Sequence, residues 1–236
     1  MSIVILNWNG VKDTVECLES LRKITYPDYE VLVVDNGSTG ADVKVLRERF
    51  RDYIHIIEND RNYGFAEGNN IGIRYALTNQ NPDYLLLLNN DIIVAPDFLT
   101  ELVKAAENDP AIGLLGPVVY DYNRQSVVRG TGSGLRISWW RGTLVPLRHS
   151  RIGQEGNGIR EADFIEGSCM LVRRNVINQV GLLDAVYFAY WEETDWCVRI
   201  KRAGYKVCCV LSSKIWHKSS LSHLDSRRLY YLLKNN

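Results

Sequence analysis

The feature that most constrains this 236-residue chain is the regular alternation of apolar and amphipathic segments along its first half. Short apolar runs predict buried strands at 3–6, 30–35, 54–57 and 84–88. Between these runs, apolar residues recur at helical spacing, which predicts helices after residue 11 and over 42–50, 66–78 and 97–108. Strands that alternate with helices at this spacing predict an α/β fold with a parallel, doubly wound sheet.

The second half of the chain has a less regular pattern. Strands are predicted at 112–120, 164–173 and 206–211, and helices at 175–180 and 192–203. The stretch 130–158 is rich in Gly, Ser and Arg and predicts a loop or hairpin, which could close over a bound ligand. We therefore expect a smaller region of mixed structure beside the parallel sheet.

Charge and composition narrow the classes of partner. The formal net charge is zero and 46% of the residues are hydrophobic, which argues for a globular domain and against a nucleic-acid partner. The segment 196–236 differs, since it holds nine Lys or Arg residues and a single acidic residue, Asp225. This basic segment is either a solvated face or a contact with an anionic membrane surface or a phosphorylated acceptor.

The five cysteines form no CxxC pair and lie in apolar surroundings, so we expect buried free thiols in a reducing compartment. The chain opens directly on a strand-like run, and its apolar runs are too short to span a bilayer. The sequence therefore predicts a cytoplasmic location.

Polar side chains follow three of the predicted strands. Asn7-Trp8-Asn9-Gly10 follows the first strand, Asp35 ends the second, and Asn89-Asn90-Asp91 ends the fourth. Ligands of open parallel sheets bind beyond the carboxyl ends of the strands. We expect these residues to share one cleft that carries two carboxylates and several amides.

Each carboxylate of this cleft has two interpretations. Asp35 could accept hydrogen bonds from a ribose hydroxyl or a pyrimidine N–H, or it could cap the turn that follows it. Asp91 could also cap a turn, or it could bind Mg²⁺ or Mn²⁺, which often take one or two carboxylates together with substrate phosphates.

The segment 62–72 opens a predicted helix and contains three glycines, Gly64, Gly68 and Gly72. Glycines allow close backbone approach to a ligand, and a helix N-terminus favours an anion. The spacing differs from the GxGxxG pattern of dinucleotide-binding folds, so hydride-transfer chemistry is not expected.

Three acidic residues, Glu192, Glu193 and Asp195, begin a predicted helix. The helix dipole accounts for one or two of them more easily than for three. Aromatic neighbours could raise a carboxylate pKa there by desolvation, as a general base requires. His217 follows the last predicted strand, and a lone histidine in such a place is more often structural than a metal ligand.

Taken together, these motifs resemble glycosyltransferase family 2. They are ILNWNG, VVDNGS, NYGFAEGNN, LLNND and WEETDW, which cover nearly the whole chain in order and at the expected spacing. Within the family, the chain looks most like the rhamnosyltransferase-type enzymes of surface polysaccharide assembly. The resemblance implies a GT-A fold, with a Rossmann-like, mostly parallel central sheet flanked by helices.

The resemblance also implies roles for individual residues. Those implied to bind the nucleotide are Asn7, Asn9, Gly10, Asp35, Gly64, Gly68, Asn69 and Asn90. Asp91 would be the principal ligand of Mg²⁺ or Mn²⁺, and His217 would complete the metal and diphosphate site. Glu193 would be the catalytic base.

The implied domain is a single one over 1–236. Residues 1–118 would bind the nucleotide sugar, 119–221 would face the acceptor, and 222–236 would begin a C-terminal helix. The implied reaction is inverting transfer of a sugar from a UDP- or dTDP-sugar, dTDP-rhamnose among them, to a hydroxyl of a glycan or lipid-linked saccharide. The enzyme would work in the cytoplasm, in solution or at the inner membrane face.

Two positions depart from the family pattern. Glu193 stands where the family usually has Asp and is one methylene longer, so Glu192 and Asp195 remain alternatives as the base. Asn89 replaces the first Asp of the Asp-x-Asp signature, which weakens the expectation of metal dependence.

Two other functions fit parts of the sequence. A sugar-1-phosphate nucleotidyltransferase is also an α/β, metal-dependent protein, but it would need a Gly-rich basic loop after the first strand, where this chain has Asn7-Trp8-Asn9-Gly10. A non-catalytic nucleotide-binding scaffold derived from a transferase fits the departures at Asn89 and Glu193.

Overall fold

The computed structural model describes residues 1–132, 134–138, 143–147, 158–218, 230, 231 and 233–235. Its helices are α1 (Val11–Leu21), α2 (Asp42–Phe50), α3 (Gly64–Asn79), α4 (Phe98–Asn108), α5 (Arg174–Val180) and α6 (Glu192–Arg202). Its strands up to the middle of the chain are β1 (Ser2–Asn7), β2 (Glu30–Asp35), β3 (Ile54–Glu58), β4 (Tyr84–Asn89), β5 (Ile92–Val94) and β6 (Ile112–Asp121). The later strands are β7 (Val128–Gly130), β8 (Gly134–Ser138), β9 (Thr143–Leu147), β10 (Ile159–Glu161), β11 (Cys169–Arg173) and β12 (Lys206–His217).

Ten of the described strands form one sheet in the order β10-β12-β6-β11-β4-β1-β2-β3, with β5 on β12 and β7 on β6. Strands β3, β2, β1 and β4 run parallel to one another, as expected. Their registers pair Asn7 with Asp35 and Leu6 with Asn89, so the polar strand ends meet at one edge. The two halves expected from the sequence therefore share a continuous sheet.

The centre of the sheet differs from the doubly wound parallel expectation. Strand β11 lies antiparallel between β4 and β6, and it begins only at Cys169, whereas the predicted strand began at residue 164. Strand β12 runs on to His217, past the predicted end at residue 211. It crosses a register shift between Val210 and Lys214, where serines interrupt the apolar pattern.

Two layers of apolar side chains cover the two faces of the sheet. One layer packs residues of α1, α2 and α4 against alternate positions such as Ile3 and Ile5, and the other packs α3, α5 and α6 against positions such as Val4. Helix α3 approaches the sheet closely through glycines, since a Cβ at Gly72 would lie 2.4 Å from Val4 Cγ1. This contact sets the middle of α3 against the middle of β1.

The cysteine prediction agrees with the structure, because all five cysteines are buried free thiols. Burial raises the pKa of Cys17 to about 12. Among the described residues, no helix combines the length and the apolar composition needed to cross a bilayer. The hairpin predicted within 130–158 is present as the antiparallel pair of β8 and β9. Residues 133, 139–142 and 148–157 of that stretch, and most of 222–236, lie outside the described residues.

Candidate functional site

The side-chain amide of Asn7 connects the polar strand ends. Asn7 is fully buried at the end of β1, and its Nδ2 donates to Oδ1 of Asp35 at 2.7 Å and to Oδ1 of Asp42 at 3.0 Å. Its Oδ1 accepts a hydrogen bond of 2.7 Å from the hydroxyl of Thr14. One amide therefore joins the ends of β1 and β2 to the first turns of α1 and α2, with its donor and acceptor both satisfied.

The carboxylate of Asp35 is held in the turn after β2. Ser38 donates to it twice, from the backbone N–H at 2.9 Å and from the hydroxyl at 2.6 Å, and Asp35 is 2% exposed. These hydrogen bonds form the turn cap, which is one of the two interpretations of Asp35 in the sequence. The nucleoside-binding role of Asp35 remains a prediction.

Asn9 bridges the loops after β1 and β2. Its backbone is left-handed at φ 50°, a conformation that Asn tolerates better than most residues. Its N–H donates to Ser38 Oγ at 2.8 Å, and its Oδ1 accepts from the N–H of Thr39 at 2.9 Å. The neighbouring Trp8 projects outward and is 47% exposed, a large aromatic face at the mouth of this site.

Gly10 and Asn90 bring the end of β4 into the same network. Asn90 Nδ2 donates to the hydroxyl of Thr14 at 3.0 Å. A Cβ at Gly10 would lie 2.6 Å from that nitrogen, so only glycine leaves room for the contact. The structure thus brings together five of the predicted nucleotide-site residues, namely Asn7, Asn9, Gly10, Asp35 and Asn90.

The predicted metal ligands also meet, although they are 126 positions apart in the numbering. Pairing of β5 with β12 sets Ile92 opposite His217, and His217 Nε2 lies 3.2 Å from Asp91 Oδ2. Both side chains retain some exposure, 14% for His217 and 22% for Asp91. An imidazole and a carboxylate are a donor set that suits Mn²⁺ or Mg²⁺, provided that substrate oxygens complete the coordination. The described residues contain no group of three or more potential protein ligands.

Lys218 anchors the end of β12 to α1, a contact that the sequence did not reveal. Its ammonium donates to Asp13 at 3.0 Å and to Glu16 at 2.5 Å, and its backbone N–H donates to the carbonyl of Asp91 at 3.0 Å. The side chain of Lys218 is 13% exposed. These contacts fix the chain immediately after His217 against Asp91.

The glycine-rich segment that opens α3 packs against the 183–188 segment, and its predicted nucleotide role remains a prediction. Gly64 has φ +85°, and a Cβ there would lie 2.5 Å from the carbonyl oxygen of Phe188. Asn70 exchanges two hydrogen bonds with the backbone of Leu183, at 2.8 and 3.1 Å. This part of α3 therefore holds the 183–188 segment.

Two other predicted nucleotide residues, Gly68 and Asn69, are also engaged in packing. A Cβ at Gly68 would lie 2.6 Å from Leu6 Cδ1. Asn69 is 2% exposed and donates to the carbonyl of Phe65 at 2.9 Å. The close backbone approach inferred from the glycines is present, but in these contacts it is made to the protein itself.

Asn36 is a further polar residue that the sequence did not single out. It is buried beside Asp35, and its Nδ2 donates to Asn62 Oδ1 at 2.9 Å and to the carbonyl of Gly64 at 3.0 Å. Its Oδ1 accepts from the N–H of Tyr63 at 3.1 Å. The Asn-Gly-Ser turn after β2 and the start of α3 are thereby fixed to each other.

Glu192 and Glu193 begin α6, at a point where the backbone is strained. The residue before them, Trp191, is left-handed at φ 77°, and so is Tyr190 at φ 68°. Glu192 is 4% exposed, and no described residue bonds its Oε2. Burial, and then the negative charge of Glu193, raise the pKa of Glu192 to about 8. Burial raises the pKa of Glu193 above its ordinary value as well.

A short path connects this acidic pair to the end of β4. A Cβ at Gly167 would lie 3.4 Å from Glu193 Cβ and 3.9 Å from Glu192 Oε1. The next residue, Ser168, accepts a hydrogen bond of 3.0 Å at its carbonyl from the N–H of Asn89. The pair therefore lies close to the strand end that carries Asp91.

Asp195, the third candidate base, is engaged in a different contact. Its Oδ2 accepts from Arg199 Nε at 2.7 Å, one helical turn along α6. The same guanidinium donates to the carbonyls of Val180 and Leu182, each at 2.8 Å. Asp195 thus orients an arginine that supports the chain before α6, and this structural task favours Glu192 and Glu193 as candidates for the base.

The sequence model of glycosyl transferase family 2 matches residues 2–181. The chain belongs to glycosyl transferase family 2. The match runs from β1 to just past α5, so Glu192, Glu193 and His217 lie beyond the matched range of this family 2 chain.

Curated relatives of this family 2 chain include sugar transferases from archaea and bacteria. A low-salt glycan biosynthesis hexosyltransferase of Haloferax volcanii is 28% identical over 88% of this chain and 63% of its own length. An N-acetylglucosaminyl-diphospho-decaprenol L-rhamnosyltransferase of Mycobacterium tuberculosis is 29% identical, over 87% of this chain and 71% of its own. Rhamnosyltransferase WbbL of Escherichia coli K12 is 27% identical, over 98% and 87%. The chain thus spans less than two thirds of the Haloferax protein.

Solved structures show that the fold is GT-A, as expected from the resemblance. The structure of GalNAc-T7 with UDP, GalNAc and Mn²⁺ superposes with a TM-score of 0.75 at 17% identity, over 94% of this chain and 43% of that one. A mannosyltransferase of Pyrobaculum calidifontis in complex with GDP-Man and Mn²⁺ gives a TM-score of 0.71 at 17% identity, over 98% and 61%.

The raised pKa of Glu192 predicts how stability changes with pH. The group takes up a proton on folding, since its pKa rises from 4.5 to about 8, and stability is lost as the pH rises through that interval. Glu192→Gln removes this loss. The variant should gain stability over wild type between about pH 5 and pH 8, by up to about 1.4 kcal/mol per pH unit, as measured by urea unfolding at several pH values.

The control for this experiment is Glu48→Gln, which changes an exposed glutamate on α2. It should leave the pH dependence of unfolding as it is in wild type. If Glu192→Gln also follows wild type across this range, Glu192 is not held protonated by burial in the folded protein.

Proposed function

We propose that this domain transfers a sugar from a UDP- or dTDP-linked donor to a hydroxyl of a glycan or lipid-linked saccharide, with inversion at the anomeric carbon. The proposal rests on the proximity of two pairs of side chains, Asp91 with His217 and Glu192 with Glu193. Asp91 and His217 lie 3.2 Å apart at the end of β4, and Gly167 and Ser168 connect that strand end to Glu193. A donor diphosphate at the first pair would leave its sugar facing the second.

The donor would bind over the network that Asn7 organises. Asp35 bonds that amide directly, and Asn9, Gly10 and Asn90 belong to the same network through Ser38 and Thr14. The network is preorganised by its own hydrogen bonds, so binding would cost little ordering of side chains. Titration with UDP and with dTDP distinguishes a uracil site from a thymine site.

Asp91 and His217 would hold Mg²⁺ or Mn²⁺. The cation, when bound, neutralises the charge that develops on the leaving diphosphate. Because residue 89 is Asn, Asp91 is the single carboxylate of the Asn89-Asn90-Asp91 motif. One carboxylate fits an ion that takes most of its ligands from substrate and water. The GalNAc-T7 and Pyrobaculum structures both contain Mn²⁺.

Glu193 would act as the base that takes the proton from the acceptor hydroxyl. It is half-buried, whereas Glu192 is enclosed, so Glu193 is the member of the pair that an acceptor can reach. Burial raises the pKa of both carboxyl groups of the pair. A base with a raised pKa is better matched to a hydroxyl at neutral pH.

The choice of substrates rests on the relatives. The Mycobacterium and Escherichia proteins are named rhamnosyltransferases, which favours dTDP-rhamnose as donor. The first of these carries a diphospho-decaprenol acceptor in its name, which favours a lipid-linked saccharide. We propose that the enzyme works in the cytoplasm, in solution or at the inner membrane face.

Nucleotide binding is the first test of this proposal. We expect UDP or dTDP to bind in the presence of Mn²⁺ or Mg²⁺, to bind at least about tenfold more weakly in EDTA, and to lose this metal dependence in Asp91→Ala. Calorimetric titration of each nucleotide under each condition provides the measurement.

The matched control is Asp97→Asn, which changes an exposed carboxylate before α4 and should bind like wild type. Absence of binding of either nucleotide under every condition would contradict the transferase proposal. Binding without any transfer would favour the non-catalytic scaffold.

The base assignment predicts a separate effect on turnover. Glu193→Gln should lower kcat for sugar transfer by about 100-fold or more and leave nucleotide affinity unchanged within about twofold, since only proton removal is lost. Glu193→Asp, which restores the usual family residue, should keep most of the activity. Radiolabelled-sugar transfer to a lipid-linked acceptor measures both. Equal activity in the Gln variant and wild type would exclude Glu193 as the base.

A further inference from the structure

The segment just before α6 has three successive carbonyls held by side chains or backbone from elsewhere in the chain. The carbonyl of Phe188 accepts from the N–H of Phe65 at 2.6 Å, at the start of α3. The carbonyls of Ala189 and Tyr190 both accept from Asn235 Nδ2, at 2.9 and 3.1 Å. Two distant parts of the chain thus fix this short stretch, α3 and the C-terminal segment, by which we mean the described residues 230, 231 and 233–235.

This stretch is strained and leads directly to the acidic pair. Tyr190 and Trp191 are successive non-glycine residues with positive φ, 68° and 77°. Such conformations persist only where surrounding contacts enforce them. Glu192 and Glu193 follow at once, so the direction in which their side chains leave α6 depends on this turn.

The C-terminal contact is made by one face of a helical turn. The N–H of Asn235 donates to the carbonyl of Tyr231 at 3.1 Å, so the two side chains lie one turn apart on the same face. The ring of Tyr231 stacks on Phe188 with centroids 5.0 Å apart and an interplanar angle of 16°. Leu233, by contrast, is 70% exposed.

We propose that Asn235 is a positioning residue for the base, which holds the Tyr190–Trp191 turn in its left-handed conformation and so directs Glu193 toward the acceptor. Tyr231 supports it by clamping Phe188. The inference rests on the proposed function in naming Glu193 as the base, but the restraint on the turn is a property that can be measured without any substrate.

The test compares Asn235→Asp with wild type in the full chain. The substitution keeps the shape of the side chain, removes both donors and sets a carboxylate against two carbonyls. Because a small misplacement of a catalytic group is costly, we expect kcat to fall by about 10- to 100-fold while donor KM and nucleotide affinity stay within about twofold. Tyr231→Leu, which removes the stack on Phe188, should lower kcat by a smaller factor and likewise leave donor KM and nucleotide affinity within about twofold.

Leu233→Ala is the matched control on the exposed face of the same segment, and it should behave like wild type. The substrate-free readout is hydrogen exchange at the start of α6, where the N–H of Asp195 donates to the carbonyl of Trp191 at 2.9 Å. In Asn235→Asp, we expect amides 191–195 to exchange at least about tenfold faster, with protection in the central strands unchanged.

Two results would overturn the inference. One is unchanged exchange at 191–195 in Asn235→Asp. The other is a parallel loss of nucleotide affinity, central-strand protection and turnover, which would indicate a general structural role. If wild type binds nucleotide but transfers no sugar, the proposed function fails, while the exchange result still decides whether Asn235 holds the turn.

Discussion

The buried amide of Asn7 is the contact on which the candidate site depends. It lies between the carboxylates of Asp35 and Asp42, which would repel each other at this depth without a shared donor. Through Thr14 and Asn90 the same network reaches the loop after β4. The parallel strands supply the common edge, and the network of this amide fixes the loops after β1, β2 and β4 in one arrangement.

The second half of the site, around Glu192 and Glu193, is held by side-chain hydrogen bonds to an irregular segment. The chain from 180 to 190 has little regular structure, and its carbonyls are bound instead by side chains of α3, α6 and the C-terminal segment. Backbone carbonyls that are shielded from water must be paired in some such way. These contacts hold Glu192 and Glu193 next to Gly167, where burial raises the pKa of both.

The sequence predicts the first half well because its signals are local. The apolar run of β4 and the amphipathic pattern of α2 specify their elements within a few residues, and strands that run parallel must bring Asp35 and Asp91 to one edge. The antiparallel placement of β11 and the long β12 depend on pairing between distant strands, which periodicity does not encode. The close approach of Gly64 to Phe188 is another distant contact that periodicity does not encode, and the nucleotide role of Gly64 stays a prediction.

Asp91 and His217 are proposed to mark the diphosphate site of a sugar transferase. The most direct test is anomalous diffraction from crystals grown with UDP or dTDP and Mn²⁺. We expect one Mn²⁺ peak within coordination distance of Asp91 and His217, with the diphosphate on the same ion and the nucleoside over the Asn7 network. A nucleotide bound with Mn²⁺ at any other place on the chain would contradict this proposal.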